Sequence, residues 1–165
     1  MIRRLNEGDW QAFKSLRLEA LEQEPQSFAA DVEEYRKQPD EYWESRSRGN
    51  PSTFTVGAFI NGHLVGMVGL SRHLPTKIRH KAFIWGMYVS SAHRRVHLGS
   101  QLLGGVLQEA RAMEGLELVT LSVVATNTPA VELYRKYGFK SFGTEPRALK
   151  VGSTYVDEEH MTLVL

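Results

Sequence analysis

The chain has 165 residues, 42% of them apolar and 24% charged, and a mean hydropathy of −0.32, which suits one soluble domain with its own core and excludes a disordered or fibrous chain. It contains no cysteine, so thiol catalysis, cysteine metal sites and disulfides are all excluded, and a cytoplasmic location is expected. The net charge of +1 hides an asymmetry: residues 1–50 hold eleven acidic and eight basic side chains, while residues 51–108 hold no acidic residue, six Lys/Arg and five of the six histidines. An anion is therefore expected at the middle of the chain, and the acidic first third suits a cationic substrate, unless these charges are simply solvated.

Ile2–Leu5 reads as a short strand. Trp10, Phe13, Leu16, Leu18 and Leu21 then recur at helical spacing behind Asp9, a candidate helix cap. Pro25 ends that helix, and a second one is expected around Tyr42 and Trp43, between Pro39 and Pro51. Residues 53–60 and 63–70 flank Asn61-Gly62, whose tolerance of positive φ predicts a two-residue hairpin. "AFIWGMYV" (82–89) reads as a buried central strand, in which period-two alternation would set Trp85 and Met87 side by side. Leu98, Leu102, Leu103, Val106, Leu107 and Ala110 predict a helix closed by Gly115. Gly104-Gly105 inside it implies close approach to a sheet. Residues 116–124 form a second buried strand, Pro129 opens a short helix that stops at Gly138, and "FKSFGT", "ALKVG" and "YVDEEHMTLVL" close the chain as strands. Alternating strands and helices in the second half, mixed with hairpins, predict an α/β fold with parallel strands. No apolar run approaches the roughly 18 residues of a membrane span, and the polar start MIRRLNEGDW does not resemble a secretory leader.

Between the central strand and its helix lies AHRRVHLGS, a strand–basic loop–helix passage of the kind that holds phosphate on unpaired helix N–H groups. It contains neither G-x-x-x-x-G-K-[ST] nor G-x-G-x-x-G, which argues against phosphoryl transfer from ATP and against dinucleotide binding. His93 and His97 have metal-pair spacing, but Arg94 and Arg95 beside them would repel a cation, and no metal is expected. A pI near 8.0 without an aromatic RNA motif argues against nucleic acid.

"MYVSSAHRRVHLGSQLL" followed by "LSVVATNTPAVELYRKYGF" resembles the GCN5-related N-acetyltransferases, which move an acetyl group from acetyl-coenzyme A to an amine. Arg94 and Gly99 fall on the [QR]-x-x-G-x-[GA] pattern, and Asn127, Ala130, Tyr134, Gly138 and Phe139 on Asn-x-x-A-x-x-x-Tyr and Gly-Phe. His97 stands where the first pattern has glycine, and the usual fourth-strand glutamate is missing. The resemblance implies one N-acetyltransferase domain over residues 1–165. Its mostly antiparallel mixed sheet would have parallel middle strands splayed apart and helices on both faces, and acetyl-CoA would be the cosubstrate.

It further implies that the backbone of Met87, Tyr88 and Val89 pairs with the pantetheine arm, and that the loop of Arg94, Arg95, Val96, His97, Leu98, Gly99 and Ser100 holds the pyrophosphate. Asn127 would contact pantetheine, and Tyr134 would serve as the catalytic acid. Glu33 and Glu34 are candidates for the missing base, with water as the alternative; Phe28 and Trp85 are candidate substrate contacts. The acceptor is expected to be a small-molecule or peptide amine. A coenzyme A-binding module without catalysis stays open, and exposed C-terminal edge strands are compatible with a homodimer.

Overall fold

The computed structural model describes residues 1–94 and 97–165. Seven strands form one sheet: β1 (Ile2–Arg4), β2 (Thr53–Ile60), β3 (His63–Arg72), β4 (Lys81–Val89), β5 (Leu118–Val124), β6 (Lys140–Val151) and β7 (Thr154–Val164), in spatial order β1-β2-β3-β4-β5-β7-β6. The helices are α1 (Trp10–Gln23), α2 (Val32–Arg36), α3 (Asp40–Arg48), α4 (Leu98–Arg111) and α5 (Thr128–Lys136). None of the helices is long and apolar enough to cross a membrane among the described residues.

The hairpin at Asn61-Gly62 forms with both residues at positive φ and Ile60 opposite His63. The parallel expectation holds at one place: β4 and β5 run parallel, whereas β7 inserts between β5 and β6 and is antiparallel to both. "FKSFGT" and "ALKVG" are not separate strands but one long edge strand, β6, with an irregularity between Glu145 and Leu149. There Arg147 takes positive φ and its N–H donates to the Asp157 carboxylate. Asp9 does not cap α1 with its side chain; its carboxylate is taken by Arg3 and the Asn6 N–H, and Asn6 caps the short turn before α1.

Two apolar clusters sandwich the sheet. On one face α4 buries Leu102, Leu103, Val106 and Leu107 against Val56, Val68, Leu70 and Val119. The helix glycines permit this approach, since a Cβ at Gly105 would lie 2.8 Å from the Ile2 Cγ2. On the other face Phe13, Leu16 and Ala20 of α1 meet Trp43, Met67 and Tyr88. Trp43 is fully buried, edge-on to Phe13 at 5.8 Å, so it staples α3 to α1.

Candidate active site

The site follows from a fault in the sheet. β4 and β5 pair only over Lys81–Phe83 and Leu118–Thr120, and beyond that the strands separate. The facing backbone groups past the fork therefore have no ladder partner on that side, and unpaired strand edges are open to an extended ligand. Opposite, β4 stays paired to β3 with one extra residue, so that Met67 faces Tyr88 but Gly69 faces Trp85. Gly86 absorbs this bulge at φ +62°, a conformation glycine adopts readily. The extra residue also reverses the alternation, so Trp85 packs with the α1-side cluster and Met87 with the α4-side cluster, not side by side as expected.

The separated strands open a cleft of about 760 Å³ that runs from Phe28, Trp85 and Ser122 on the α1 side to Leu98, Gly99 and Asn127 beside α4 and α5. Another recess of about 850 Å³, around Arg4, Arg72 and Arg79, contains none of the motif residues.

At one mouth stands the N-terminus of α4. His97 caps it in the left-handed conformation (φ 59°, ψ 16°) without a side-chain bond to the helix, so the non-glycine residue holds the conformation that glycine would favour. The N–H groups of Leu98, Gly99 and Ser100 have no helical carbonyl one turn earlier. A Cβ at Gly99 would lie 3.5 Å from the Met87 Cε and 3.6 Å from the Leu133 Cδ2, filling space beside those N–H groups. An anion with an extended arm fits such a cradle. The Ser100 hydroxyl is already engaged with Tyr137 at 2.9 Å. Arg94 is also engaged: its Nε donates to the Val89 carbonyl at 3.1 Å and its Nη2 pairs with Glu24. Arg95 and Val96, expected in the same loop, lie outside the described residues.

Asn127 caps α5, its Oδ1 accepting from the Ala130 N–H at 3.3 Å, which leaves its amide NH₂ for another partner. Two turns further, Tyr134 reaches into the cleft and its hydroxyl donates to the Met87 Sδ at 3.3 Å. Only 7% of Tyr134 is exposed, and burial pushes its pKa up to about 12, so the phenol keeps its proton. The Tyr88 backbone lines the cleft, while its phenol donates to Glu19 at 2.9 Å; burial and that carboxylate push it up to about 12 as well.

Glu33 and Glu34 do not line the cleft. Asp31 caps α2 through their N–H groups, both side chains are exposed, and Glu33 pairs with Arg36. What sequence reading missed is Ser122 with His160. The two are opposite one another on β5 and β7; the Ser122 Oγ lies 2.8 Å from His160 Nδ1, and His160 Nε2 lies 2.9 Å from Glu145. Glu158, two residues away on the same face, is pushed up by burial, with His160 opposing. Period-two alternation in "LSVV" and "EEHM" was the available signal, but no sequence feature says that these strands are neighbours.

A sheet forked between two parallel strands, with a helix N-terminus at one mouth and a buried phenol inside, defines the acyl-coenzyme A N-acyltransferase fold. The profile of the acetyltransferase (GNAT) family matches residues 10–139, and the chain belongs to that family; by class it is an acetyl-CoA-dependent N-acetyltransferase. It is 26% identical over 125 residues (76% of each chain) to the L-amino acid N-acetyltransferase AaaT of Escherichia coli K12. It is also 32% identical over 91 residues to an N-alpha-acetyltransferase of Sulfurisphaera tokodaii, a match spanning 50% of this chain and 54% of that one. In fold it resembles yncA of Salmonella typhimurium, solved with its cofactor acetyl-CoA, with a TM-score of 0.82, 19% identity and coverage of 100% and 93%.

Proposed function

We propose that the protein transfers acetyl directly from acetyl-CoA to the primary amine of a small molecule or peptide. The observation that carries this reading is the fork between β4 and β5, with the protonated Tyr134 hydroxyl inside it. The E. coli relative named for L-amino acids and the archaeal one named for N-alpha-acetylation support a free amino acid or a peptide amino terminus as acceptor.

Acetyl-CoA supplies the activated acetyl group. The backbone of Met87, Tyr88 and Val89 offers ladder partners to its arm. The N–H groups of Leu98–Ser100 offer donors to its diphosphate, with the Asn127 amide beside them. Ser122 and His160 provide a route for the amine's proton: the Ser122 Oγ accepts it while giving its own to His160 Nδ1, and Glu145 holds the other imidazole N–H. The amine nitrogen then forms the new bond to the acetyl carbon, the carbon–sulfur bond breaks and Tyr134 gives the leaving sulfur its proton; the second proton shed by the nitrogen restores the phenol, and the proton on His160 passes to solvent. Proximity of two bound reactants supplies much of the acceleration, and no covalent enzyme intermediate is needed in a chain without cysteine.

The test is turnover of acetyl-CoA against a broad amine panel, read by free coenzyme A and by product mass. Acetylated product is expected. His160→Gln should lower kcat and leave the KM for acetyl-CoA unchanged. Tight coenzyme A binding with no product from any acceptor would instead establish a module without catalysis.

A further inference from the structure

Arg17 stands on the inner face of α1, between Phe13, Leu16, Ala20 and Leu21, with 5% of its surface exposed. A guanidinium is seldom buried to this extent without a carboxylate, because the lost hydration must be replaced by charged partners and hydrogen bonds. Among the described residues Arg17 has no ion pair, and its Nη1 has no hydrogen-bond partner. Its neighbours are aromatic: the Cζ lies 4.8 Å from the centre of the Phe28 ring and 5.4 Å from that of Tyr35. Burial lowers its pKa, with the Tyr35 oxygen opposing, yet an arginine remains a cation at neutral pH.

The unpaired nitrogen is buried directly behind the cleft wall. A Cβ added to Gly86 would lie 3.2 Å from Arg17 Nη1, and Gly86, like Phe28, lines the cleft at the β4 bulge. A second cation flanks the same place. Arg46 of α3 is half-buried, its Cζ 4.5 Å from the Trp85 ring and 5.4 Å from Tyr42, and its charge opposes that of Arg17. Among the described residues no carboxylate forms an ion pair with either of these two: Glu22 and Glu33 pair with Arg36, Asp40 with Lys14, Glu24 with Arg94 and Glu7 with Arg48. Two positive charges thus stand close together behind the α1-side wall of the cleft, against Phe28, Trp85 and the Gly86 bulge.

We infer that Arg17, flanked by Arg46, is a subsite for a carboxylate on the acceptor, so that the substrate class is an amine bearing a carboxylate, such as a free amino acid, and not a polyamine. The inference rests on the acetyl-transfer reading above. A guanidinium presents two parallel N–H groups to a carboxylate, which fixes orientation as well as charge. A carboxylate held there would supply the missing partner of Arg17.

The experiment measures kcat/KM of the purified protein with acetyl-CoA and the twenty L-amino acids, then with the carboxamide and the decarboxylated amine of those that react. The acid is expected to be preferred by about 100-fold over its carboxamide, chiefly through KM. Arg17→Met should abolish that preference by raising the KM of the acid alone, with coenzyme A affinity unchanged, and Arg17→Lys should restore part of it. The acid-to-amide ratio does not depend on how much of a variant is folded. If Arg17→Met does not fold, Arg46→Met should still shrink the ratio. Equal turnover of acid and carboxamide by the wild type, or a preference unchanged in the variants, overturns the subsite and leaves acetyl transfer standing. Turnover of no amine at all overturns both.

Discussion

Removing the Tyr134 hydroxyl separates the chemistry of the site from the stability of the fold. In Tyr134→Phe the ring stays where it packs, edge-on to Phe139 with centroids 5.8 Å apart, and the hydroxyl loses only its bond to the Met87 thioether at 3.3 Å, a weak acceptor. The expected change in stability at neutral pH is therefore under about 1 kcal/mol. The catalytic effect should be much larger. With its pKa pushed up to about 12 by burial, the phenol is ionised in only about one molecule in 10⁵ at pH 7, so it is available there as a proton donor. A positioned acid contributes about 10²- to 10⁴-fold, and kcat should fall by that factor with coenzyme A affinity unchanged. The same shift has an alkaline signature. Because the folded-state value lies above the ordinary value near 10, the unfolded chain releases this proton first as pH rises, and stability falls between about pH 10 and 12. The wild type should lose roughly 2–3 kcal/mol more than Tyr134→Phe across that window. Stopped-flow acetyl transfer and urea unfolding of both proteins measure the two effects. A kcat within about threefold of wild type would refute the acid role, and parallel alkaline unfolding curves would refute the buried, protonated phenol.

Further outcomes follow from residues around this centre. His97 holds the left-handed conformation at the mouth of the cleft, at a cost of about 1–2 kcal/mol for a residue with a Cβ. His97→Gly should stabilise the fold by a net of up to about 1 kcal/mol after the extra freedom of glycine in the unfolded chain, read as a raised thermal midpoint; a lowered midpoint would contradict this. Asp9 accepts two bonds from Arg3, at 2.7 and 2.9 Å, and one from the Asn6 N–H, and Arg3 holds its carboxyl below the usual range. Its contribution is complete above about pH 4 and is lost as pH falls through the lower folded-state value. Asp9→Asn should therefore cost about 1.5–3 kcal/mol at pH 7 and progressively less under acid, read from thermal unfolding at pH 7 and pH 3.

Much of this protein is written locally. The hairpin at Asn61-Gly62, the apolar stripe of α4, the close approach at Gly105 and the Pro129 start of α5 depend on turn chemistry and periodicity within a few residues, and each appears as expected. The motif around Gly99, Asn127 and Tyr134 is legible for the same reason, since each residue is tied to the start of a helix or to one face of it. The rest needed the chain to meet itself at long range. That β7 lies beside β5 brings His160 to Ser122, 38 residues apart. The bulge at Gly86 depends on β4 pairing with β3, and it parts Trp85 from Met87, which period-two reasoning had joined. The charge pattern of the first 50 residues pointed to a cationic ligand, because composition counts charges without showing which are already paired. Folding pairs several acids of that segment with basic side chains and leaves a buried, unpaired arginine behind the cleft wall, so the charge a substrate meets is decided by tertiary packing and not by the sum along the chain.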